Sequence, residues 1–447
     1  MLGTGIGHYI PLVAYLGFCV MIIVSLVKRP LYGLYYMIPF LPYRTMRDHF
    51  LDYPLGGNML TILVLAVIVG ALIKGKRLPK GKGKLYLIWL IFAIYLYISM
   101  WLGVAMGNAP PPIWLQDINF VTWKDYMLIP LVFLAAGLVV EDRKSVKIII
   151  FLTAFSVVAI DRSCLMDSMS RSWSNFDENK RGGGPLGFGS NQTAAYLAQF
   201  SMFFWGFAQF LKRKKLRLIS YGIVALTIFT DMYTFSRGSY LAIILSVVVL
   251  GFLKDRKLLI VAALFLVTWQ AIVPTAVRER VNMTENSNGQ LESSANERVR
   301  LWQDAEDAIA ADPIFGAGFA TYQLTAHVDN LRDTHNWYIK VLVETGIVGM
   351  LIVLAMLQQM LAAAYRLFKI AEDPLYRGFG LGLFLAICAC LVANCFGDRW
   401  TYIEITSPLW LLVGTTLRAT EFSEAAPVTE ATASNATIST NPFLAYR

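Results

Sequence analysis

Charged residues are scarce in this sequence. They make up 15% of its 447 residues, whereas hydrophobic residues make up 56%. Soluble globular domains contain roughly 25% charged and about 45–50% apolar residues. The low charge content therefore excludes a soluble globular protein and predicts a chain that crosses a membrane several times.

Cysteine is also rare, with five residues in the whole chain. Cys164 stands alone in a predicted loop, and the other four lie in or beside hydrophobic segments: Cys19, Cys388, Cys390 and Cys395. This distribution excludes a disulfide framework. The first hydrophobic segment has no basic stretch and no small-residue cleavage site, so no cleavable signal peptide is expected.

The hydrophobic residues fall into segments that suit a bilayer, which a helix of about 20 apolar residues can cross. These segments are residues 9–27, 30–42, 58–73, 84–106, 122–140, 145–160, 189–211, 215–234, 237–253, 257–273, 336–368, 377–396 and 400–417. Segment 30–42 is short and contains three prolines, so it either spans the membrane or is re-entrant. We therefore predict an all-α fold, a polytopic transmembrane helix bundle of 12–13 spans.

One long polar stretch divides these spans into domains. We expect about ten N-terminal transmembrane helices over residues 1–273 and a large extracytoplasmic loop domain with short helices over residues 274–335. The C-terminal transmembrane helices follow over residues 336–420. Residues 421–447 are rich in Ala, Thr and Ser without apolar periodicity, which predicts a disordered cytoplasmic tail.

The net charge of +9 does not indicate nucleic-acid binding, because the basic residues occur in short clusters at every second connection. Clusters at 74–84, 212–217 and 254–257 follow the positive-inside bias and mark the cytoplasmic side. The alternate connections, including 274–335, then face outward. With thirteen spans the N-terminus is outside and the C-terminus inside. If segment 30–42 is re-entrant, both termini are cytoplasmic.

Two arginine motifs precede the long loop. Arg237, in TFSRGSYLA, lies at an outer helix end, where the positive-inside bias disfavours arginine. It either extends to the interface or binds phosphate oxygens through its planar guanidinium. Arg181 begins RGGGPLGFGSNQ, which is either a flexible hinge or an anion-binding glycine-rich backbone. This motif lacks the Gly-Lys-Ser/Thr of a nucleotide P-loop.

Within the long loop, Asn296–Ala311 is predicted to be a helix ended by Asp312-Pro313. We expect its apolar residues to share one face: Val299, Trp302 and Ile309. Arg300 can pair with Asp304 one turn later, which leaves Arg298 as the stronger candidate for binding a ligand.

His335 ends the long loop, and three interpretations remain open. A lone histidine is most often structural. With Asp329 and Asp333 it could form a metal site, although three ligands in a polar loop are weak evidence. Alternatively, it accepts a proton from a substrate hydroxyl, since histidine titrates near neutral pH.

A glycine pair follows His335 in the next hydrophobic segment. Gly346 and Gly349 lie on one helix face and suit close helix packing. A single helix over residues 336–368 would be about 50 Å long. We therefore expect a bend or an interfacial piece before Gly346, with Glu344 near that boundary.

Together these motifs resemble the O-antigen ligase and Wzy-type O-antigen polymerase family of bacterial membrane enzymes. The ligase signature is His-[Asn/Ser/Gln]-x9-Gly-x-x-Gly, and His335-Asn336 followed by Gly346 to Gly349 fits it. The Ser-Arg-Gly at 236–238 and the glycine-rich turn before Asn191 are similar to the family as well. So is an R-x-x-x-W motif that begins at Arg298 and is followed by Pro313, Gly316, Gly318 and Tyr322.

The resemblance implies a GT-C-like glycosyltransferase in the bacterial inner membrane, with its active site facing the periplasm. Its donor would be a glycan linked to polyprenyl (undecaprenyl) diphosphate. Its acceptor would be a hydroxyl of a lipid, a polysaccharide or a protein, and neither a cofactor nor a metal would take part. The enzyme would be either a ligase or a polymerase. The alternatives are a flippase for the same lipid-linked oligosaccharide and a purely structural assembly partner.

The resemblance also implies roles for individual residues. His335 would activate the acceptor hydroxyl. Four arginines would bind the donor diphosphate: Arg181, Arg237, Arg298 and Arg300. Three further residues would have supporting roles: Asn191, Asn336 and Glu344.

Overall fold

The computed structural model describes residues 9–81, 83–169, 176, 181, 184–187, 189–283, 293–324 and 334–438. These residues form helices and connecting turns, and none of them lies in a β-strand. The predicted all-α class is confirmed.

Seventeen α-helices follow one another along the described chain. The first eight are α1 (Ile10–Val27), α2 (Pro30–Met37), α3 (Arg44–Asp48), α4 (Met59–Ile73), α5 (Gly83–Ala105), α6 (Ile118–Leu128), α7 (Val132–Val139) and α8 (Arg143–Met169). The others are α9 (Ser190–Ala208), α10 (Lys214–Met232), α11 (Arg237–Leu253), α12 (Lys257–Ile272), α13 (Thr275–Asn282), α14 (Ser293–Ala311), α15 (Trp337–Ile370), α16 (Pro374–Asn394) and α17 (Ile403–Ile438). A helix, or two consecutive helices, lies at every predicted span.

A polytopic helix bundle is confirmed. Within the described residues, seven segments are long and apolar enough to cross a membrane: Ile10–Val27, Gly56–Ile73, Gly83–Ala105, Ile118–Val139, Arg143–Ser168, Trp337–Ile370 and Pro374–Asn394. There are eight if α12 and α13, bent by 109°, form one span. Other predicted spans are shorter, like the 17-residue α11, or begin with basic residues, like α10. The figure of 12–13 spans therefore stays a prediction.

The last helix extends further than the composition of the tail suggests. α17 continues to Ile438, so it includes part of the segment 421–447 that was predicted to be disordered. The prediction for residues 439–447 lies outside the described residues.

The connections between helices gather on two opposite faces of the bundle. We call one the basic face: residues 28–29, 74–81, 83–84, 141–147, 210–217, 254–257, 366–377 and 418–424. Direct contacts join its connections, such as Lys76 with Glu141 at 2.8 Å and Arg143 Nη2 with Asp373 Oδ1 at 3.0 Å. We call the other the site face: residues 43–57, 181, 184–187, 189, 234–238, 274–283, 297–324, 334–336 and 396–402. The basic clusters of alternate connections thus share one face, as predicted.

Segment 30–42 runs from the basic face towards the site face. The C-terminal ends of α1 and α4 lie together, where Lys74 Nζ donates to the Val27 carbonyl at 3.0 Å. From there α2 runs back along α1, and Tyr36 Oη donates to the Ala14 carbonyl at 2.9 Å. The segment therefore runs antiparallel to α1 at least as far as the middle of that helix, and both interpretations of it, spanning and re-entrant, stay predictions.

α9 is a buried central helix that begins at the site face. Most of its residues, from Ser190 to Ala208, are shielded by neighbouring helices. It packs tightly along α16: a Cβ at Gly206 would lie 2.8 Å from the backbone of Gly382. Phe203 and Phe379 add an edge-to-face ring contact at 5.5 Å. This packing makes α9 a rigid support for the residues at its N-terminus.

α15 is broken at Gly346, where φ is 61° and ψ is −168°, so the predicted bend is confirmed. Segment 313–318 fills the break. The amides of Ile347 and Val348 donate to carbonyls of that segment at 3.0 and 3.2 Å, which satisfies donors that the broken helix leaves open. A Cβ at position 346 would lie 2.3 Å from the Ile314 carbonyl oxygen, so this junction requires glycine.

Gly346 and Gly349 were predicted to pack together against another helix, but their contacts differ. Gly346 docks a loop, because its positive φ interrupts the helix face on which the pair was expected to lie. Only Gly349 approaches another helix, since a Cβ there would lie 3.0 Å from the ring of Tyr95 in α5.

α14 ends at the predicted residue but buries a different face. Leu301 and Ala305, one turn apart, pack with Val343 of α15. Val299 and Trp302 are 39% and 38% exposed, because they point about 200° and 100° away from Leu301 around the helix. Of the three residues predicted to share one face, Ile309 packs against this buried cluster.

Candidate active site

A polar cavity of about 170 Å³ opens on the site face. Its described lining contains five arginines, one carboxylate, one histidine and several small or aromatic residues: Arg181, Arg237, Arg280, Arg298, Arg399, Glu297, His335, Asn191, Ala195, Phe235, Ser236, Gly238, Ser239, Ala393 and Phe396. Five residues singled out from the sequence are among them: Arg181, Asn191, Arg237, Arg298 and His335. We call this space the arginine cavity.

Arg181 is held at the cavity by three hydrogen bonds. Its Nε donates to the Thr234 carbonyl at 3.1 Å, and its Nη2 donates to Asn191 Oδ1 at 2.6 Å and to the Phe235 carbonyl at 3.3 Å. These bonds tie the glycine-rich stretch to the turn before α11. Residues 182, 183 and 188 of that stretch lie outside the described residues, so its hinge and anion-binding interpretations both stay predictions.

Arg237 begins α11 directly after a strained turn. Phe235 has a φ of 55°, a left-handed conformation that is uncommon outside glycine. Ser239 Oγ donates to the buried carboxylate of Asp231 at 2.8 Å, which fixes the start of α11 against α10. Strained backbone beside a charged side chain in a cavity is typical of functional sites.

Arg237 also borders an apolar groove of about 490 Å³ between α10, α11, α12 and α13. Most of the groove lining is aliphatic or aromatic, with Leu241, Phe265, Trp269 and Val277 as examples. Arg237 therefore lies where the arginine cavity meets a space suited to hydrocarbon.

His335 stands before α15 with a φ of 49°. Both neighbours are fixed by hydrogen bonds. The carbonyl of buried Thr334 accepts from Trp302 Nε1 at 2.9 Å. Asn336 caps α15, because its Oδ1 accepts from the amides of Tyr338 at 3.0 Å and Ile339 at 3.4 Å. The backbone of His335 is thus well defined, which suits a positioned proton acceptor.

The arginines of α14 separate into two environments. Arg298 lines the cavity, but the exposed Arg300 is not part of its described lining. Residues two positions apart on a helix point about 200° away from each other, so Arg298 and Arg300 cannot both face the same space. Arg280 of α13, which was not predicted as a site residue, also lines the cavity; it is buried, with its guanidinium 4.8 Å from the ring centre of Phe176.

Arg399 is a second residue that the motifs missed. It lies buried on the turn between α16 and α17, where its amide donates to Asn394 Oδ1 at 3.0 Å. A Cβ at Gly397 would lie 2.4 Å from Arg399 Nη2, so glycine leaves room for the guanidinium. A signal was present in the sequence: like Arg237, this arginine lies at a connection that the predicted topology places outside, where the positive-inside bias disfavours arginine.

A buried ion pair pins the turn of Arg399 to α15. Lys340 Nζ lies 2.9 Å from Asp398 Oδ2, and the Thr401 amide donates to Asp398 Oδ1 at 3.0 Å. Burial opposes ionisation of Asp398, but the Lys340 ammonium and the Thr401 hydrogen bonds outweigh it and hold the pKa of this carboxyl below its usual range. Sequence patterns do not reveal this pair, because its members are 58 residues apart in the chain.

Glu344 does not line the arginine cavity. It is buried beside the break in α15, where its Oε1 accepts from the Tyr322 amide at 3.4 Å. It borders a separate space of about 30 Å³ together with Trp337 and Lys340. Any support it gives to the site therefore acts through the α15 junction.

In its described lining, the arginine cavity has more arginines than carboxylates. Five guanidinium groups repel one another, and the burial of Arg280 and Arg399 adds a desolvation cost. Glu297, the one carboxylate of the described lining, offsets part of this charge. An anion with several oxygens would offset the rest, and the planar guanidinium matches phosphate in particular.

The metal interpretation of the His335 region is not tested, because Asp329 and Asp333 lie outside the described residues. Among the residues that are described, no three His, Cys, Asp or Glu side chains group as candidate metal ligands.

Residues 222–354 match the model of a protein family described as O-antigen ligase. The family resemblance is confirmed. The matched segment includes Arg237, Arg280, Arg298 and His335, as well as the α15 junction. It indicates a multi-pass membrane protein of polysaccharide biosynthesis with a glycan-transferring activity. A search of curated proteins found no match.

Proposed function

We propose that this protein is an inner-membrane glycosyltransferase of the O-antigen ligase or polymerase type. It transfers a glycan from a polyprenyl diphosphate to an acceptor hydroxyl at the periplasmic face. The observation that carries the proposal is the position of Arg237, where the arginine cavity meets the apolar groove. A polyprenyl diphosphate has the same two parts, an anionic head and a hydrocarbon tail, so a single ligand can occupy both spaces.

The lining residues suggest how the reaction proceeds. The acceptor oxygen attacks the anomeric carbon of the donor glycan while His335 takes the hydroxyl proton. The bond from that carbon to the diphosphate oxygen breaks, and the diphosphate leaves on its lipid. The cavity arginines neutralise the charge that develops on the leaving group, which is the task a metal ion performs in other transferases. In this scheme Arg298 and not Arg300 is the contributing arginine of α14.

We place the site face in the periplasm because the basic face gathers the clusters that the positive-inside bias assigns to the cytoplasm. Reporter fusions at two positions test this orientation. A reporter active only in the periplasm should work after residue 300 and fail after residue 215. The reverse pattern would overturn the orientation, and with it most of the mechanism.

Deleting the gene and comparing the cell's glycans tests the reaction type. A ligase predicts lost attachment and accumulated carrier-linked polymer, whereas a polymerase predicts carrier-linked single repeats. A flippase predicts carrier-linked glycan trapped on the cytoplasmic leaflet. Unchanged glycans would contradict the proposed function.

A further inference from the structure

A second polar cavity, of about 310 Å³, opens on the same site face. It lies between α3, the start of α4, α6 and the start of α17. We propose that it binds the saccharide part of the acceptor, so we call it the acceptor cavity. This inference rests on the proposed function, because an acceptor site has meaning only for a transferase.

The charges of the acceptor cavity argue against a second diphosphate site. Two arginines, Arg44 and Arg47, face three carboxylates, Asp48, Asp125 and Glu404. A polyanion would be repelled by the carboxylates. Sugar hydroxyls both donate and accept hydrogen bonds, so they can pair with carboxylates and guanidinium groups alike. The mixed lining therefore fits a hydroxyl-rich ligand.

The cavity combines fixed and accessible groups. Arg47 and Glu404 form an ion pair with side chains 16% and 5% exposed, which ties α3 to α17 at the wall of the cavity. The side chains of Asp48 and Asp125 are 55% and 42% exposed, so a ligand can reach them. An anchored charge pair beside accessible carboxylates is the arrangement of a binding cleft with a few orienting polar groups.

The two cavities are one side chain apart. Gln192 Nε2 lies 3.3 Å from the hydroxyl of Tyr402, which lines the acceptor cavity. With its amide group turned over, Gln192 Oε1 accepts from Arg399 Nη1 at 3.3 Å, and Arg399 lines the arginine cavity. Gln192 therefore lies between lining residues of the two cavities, and our proposal places the path of the acceptor hydroxyl to His335 along this side chain.

The two cavities also come from different parts of the chain. Every residue in the described lining of the acceptor cavity lies between 44 and 129 or between 401 and 404, outside the segment 222–354 that matches the family. His335 and three of the cavity arginines lie inside that segment. The proposed proton acceptor thus lies in the segment that the family shares, and the proposed acceptor-binding residues lie outside it. This suits a common transfer reaction combined with recognition of different acceptors.

The test is a kinetic comparison of the full-length protein with a double variant, Asp48→Asn and Asp125→Asn. The substrates are carrier-linked glycan and acceptor glycolipid extracted from the source strain. Loss of hydrogen bonds to two charged groups should raise the acceptor KM by about tenfold or more. Binding of polyprenyl diphosphate should be unchanged. Glu141→Gln is the matched control, because Glu141 is a surface carboxylate paired with Lys76 on the basic face.

An unchanged acceptor KM in the double variant would overturn the inference, and so would an equal loss in the Glu141→Gln control. A second arm keeps it separate from the proposed function. Saccharide released from the same glycolipid by mild acid should bind the wild type and bind the double variant more weakly, as measured by saturation-transfer NMR. Binding without any transfer would contradict the proposed function alone, and transfer with unaltered saccharide binding would contradict this inference alone.

Discussion

The basic face and the site face are both rich in cations but arrange them differently. On the basic face, Lys76 pairs with Glu141 and Arg143 pairs with Asp373 across neighbouring connections. On the site face, five arginines surround one cavity whose described lining contains a single carboxylate, Glu297. Ion pairs between connections hold loops together, whereas several guanidinium groups around one space offer many donors to an anion. The arrangement of charge, more than its amount, locates the candidate active site.

The kind of cation differs as well. The basic face uses both lysine and arginine, but the described lining of the arginine cavity contains no lysine. An ammonium group is a compact point charge, while a guanidinium presents a rigid fork that grips two phosphate oxygens. The composition of the cavity therefore favours a ligand whose shape is recognised along with its charge.

Among the variants that test the difference between the two faces, His335→Ala is expected to have the largest effect on glycan transfer. Removing the proton acceptor should reduce turnover by a factor of ~10²–10⁴ while carrier binding stays largely intact. Transfer should be measured with purified protein at saturating donor and acceptor. His49→Ala, which removes an exposed histidine that lines neither cavity, is the control. Full activity of the His335 variant at normal expression would show that this residue is not the base.

A smaller effect is expected from Gly346→Ala, which should lower the free energy of unfolding. The reason is that the site face depends on the junction between α15 and segment 313–318 at this glycine. The added Cβ would meet the Ile314 carbonyl, and the backbone conformation is costly for alanine, so unfolding should become easier by ~1–3 kcal/mol. Thermal unfolding in detergent measures the change. Gly222→Ala is the control, since the described surroundings of Gly222 leave open space for a methyl group. Equal melting temperatures of the Gly346→Ala variant and the wild type would contradict the requirement for glycine at this junction.

On the basic face, Arg143→Ala should cost only ~0.2–1 kcal/mol and leave transfer unchanged, because the pair is partly exposed. A hydrogen bond from Arg143 lowers the pKa of Asp373. This contribution to stability is present above pH ~4 and lost as the pH falls through the lowered pKa. The variant should therefore lose less stability on acidification than the wild type. A large loss of glycan transfer in the Arg143→Ala variant would contradict the assignment of structural ion pairs to the basic face and of the active site to the site face.

The smallest effect is expected from chelation. If guanidinium groups stabilise the leaving diphosphate, purified protein should transfer glycan equally well with and without EDTA. The rate of transfer in detergent decides the matter. Activity abolished by EDTA and restored by Mg²⁺ or Mn²⁺ would favour the metal interpretation of Asp329, Asp333 and His335.

Much of the fold could be predicted because hydropathy is a local property. Helices lie at all the predicted spans, and the length of segment 336–368 was enough to predict a bend before Gly346. Hydropathy could not show that segment 313–318 fills that break, because its contacts join residues distant in sequence. The residues that α14 buries could not be predicted for a related reason: Leu301 and Ala305 are buried by α15, which the helix sequence alone does not specify.

The candidate site was predictable where a residue violates a general rule or stands in a spaced motif. Arg237 violates the positive-inside bias, and His335 belongs to the family signature, so both were found. Arg399 violates the same bias but lies outside the motifs. Arg280 carries no local signal, since one arginine among several in a polar loop is ordinary. Arg300 was included among the predicted diphosphate-binding residues because the sequence does not show which side of α14 faces the cavity. That orientation depends on tertiary packing.

The most direct measurement is the binding of labelled polyprenyl diphosphate, without glycan, to the purified protein. Arg237→Ala should weaken binding by about 10–100-fold, as expected for lost hydrogen bonds between charged groups. Arg237→Lys should recover only part of the loss, because lysine keeps the charge but not the fork. Arg143→Ala, on the basic face, should bind like the wild type. Equal binding by all four proteins would contradict the assignment of the arginine cavity to the donor diphosphate.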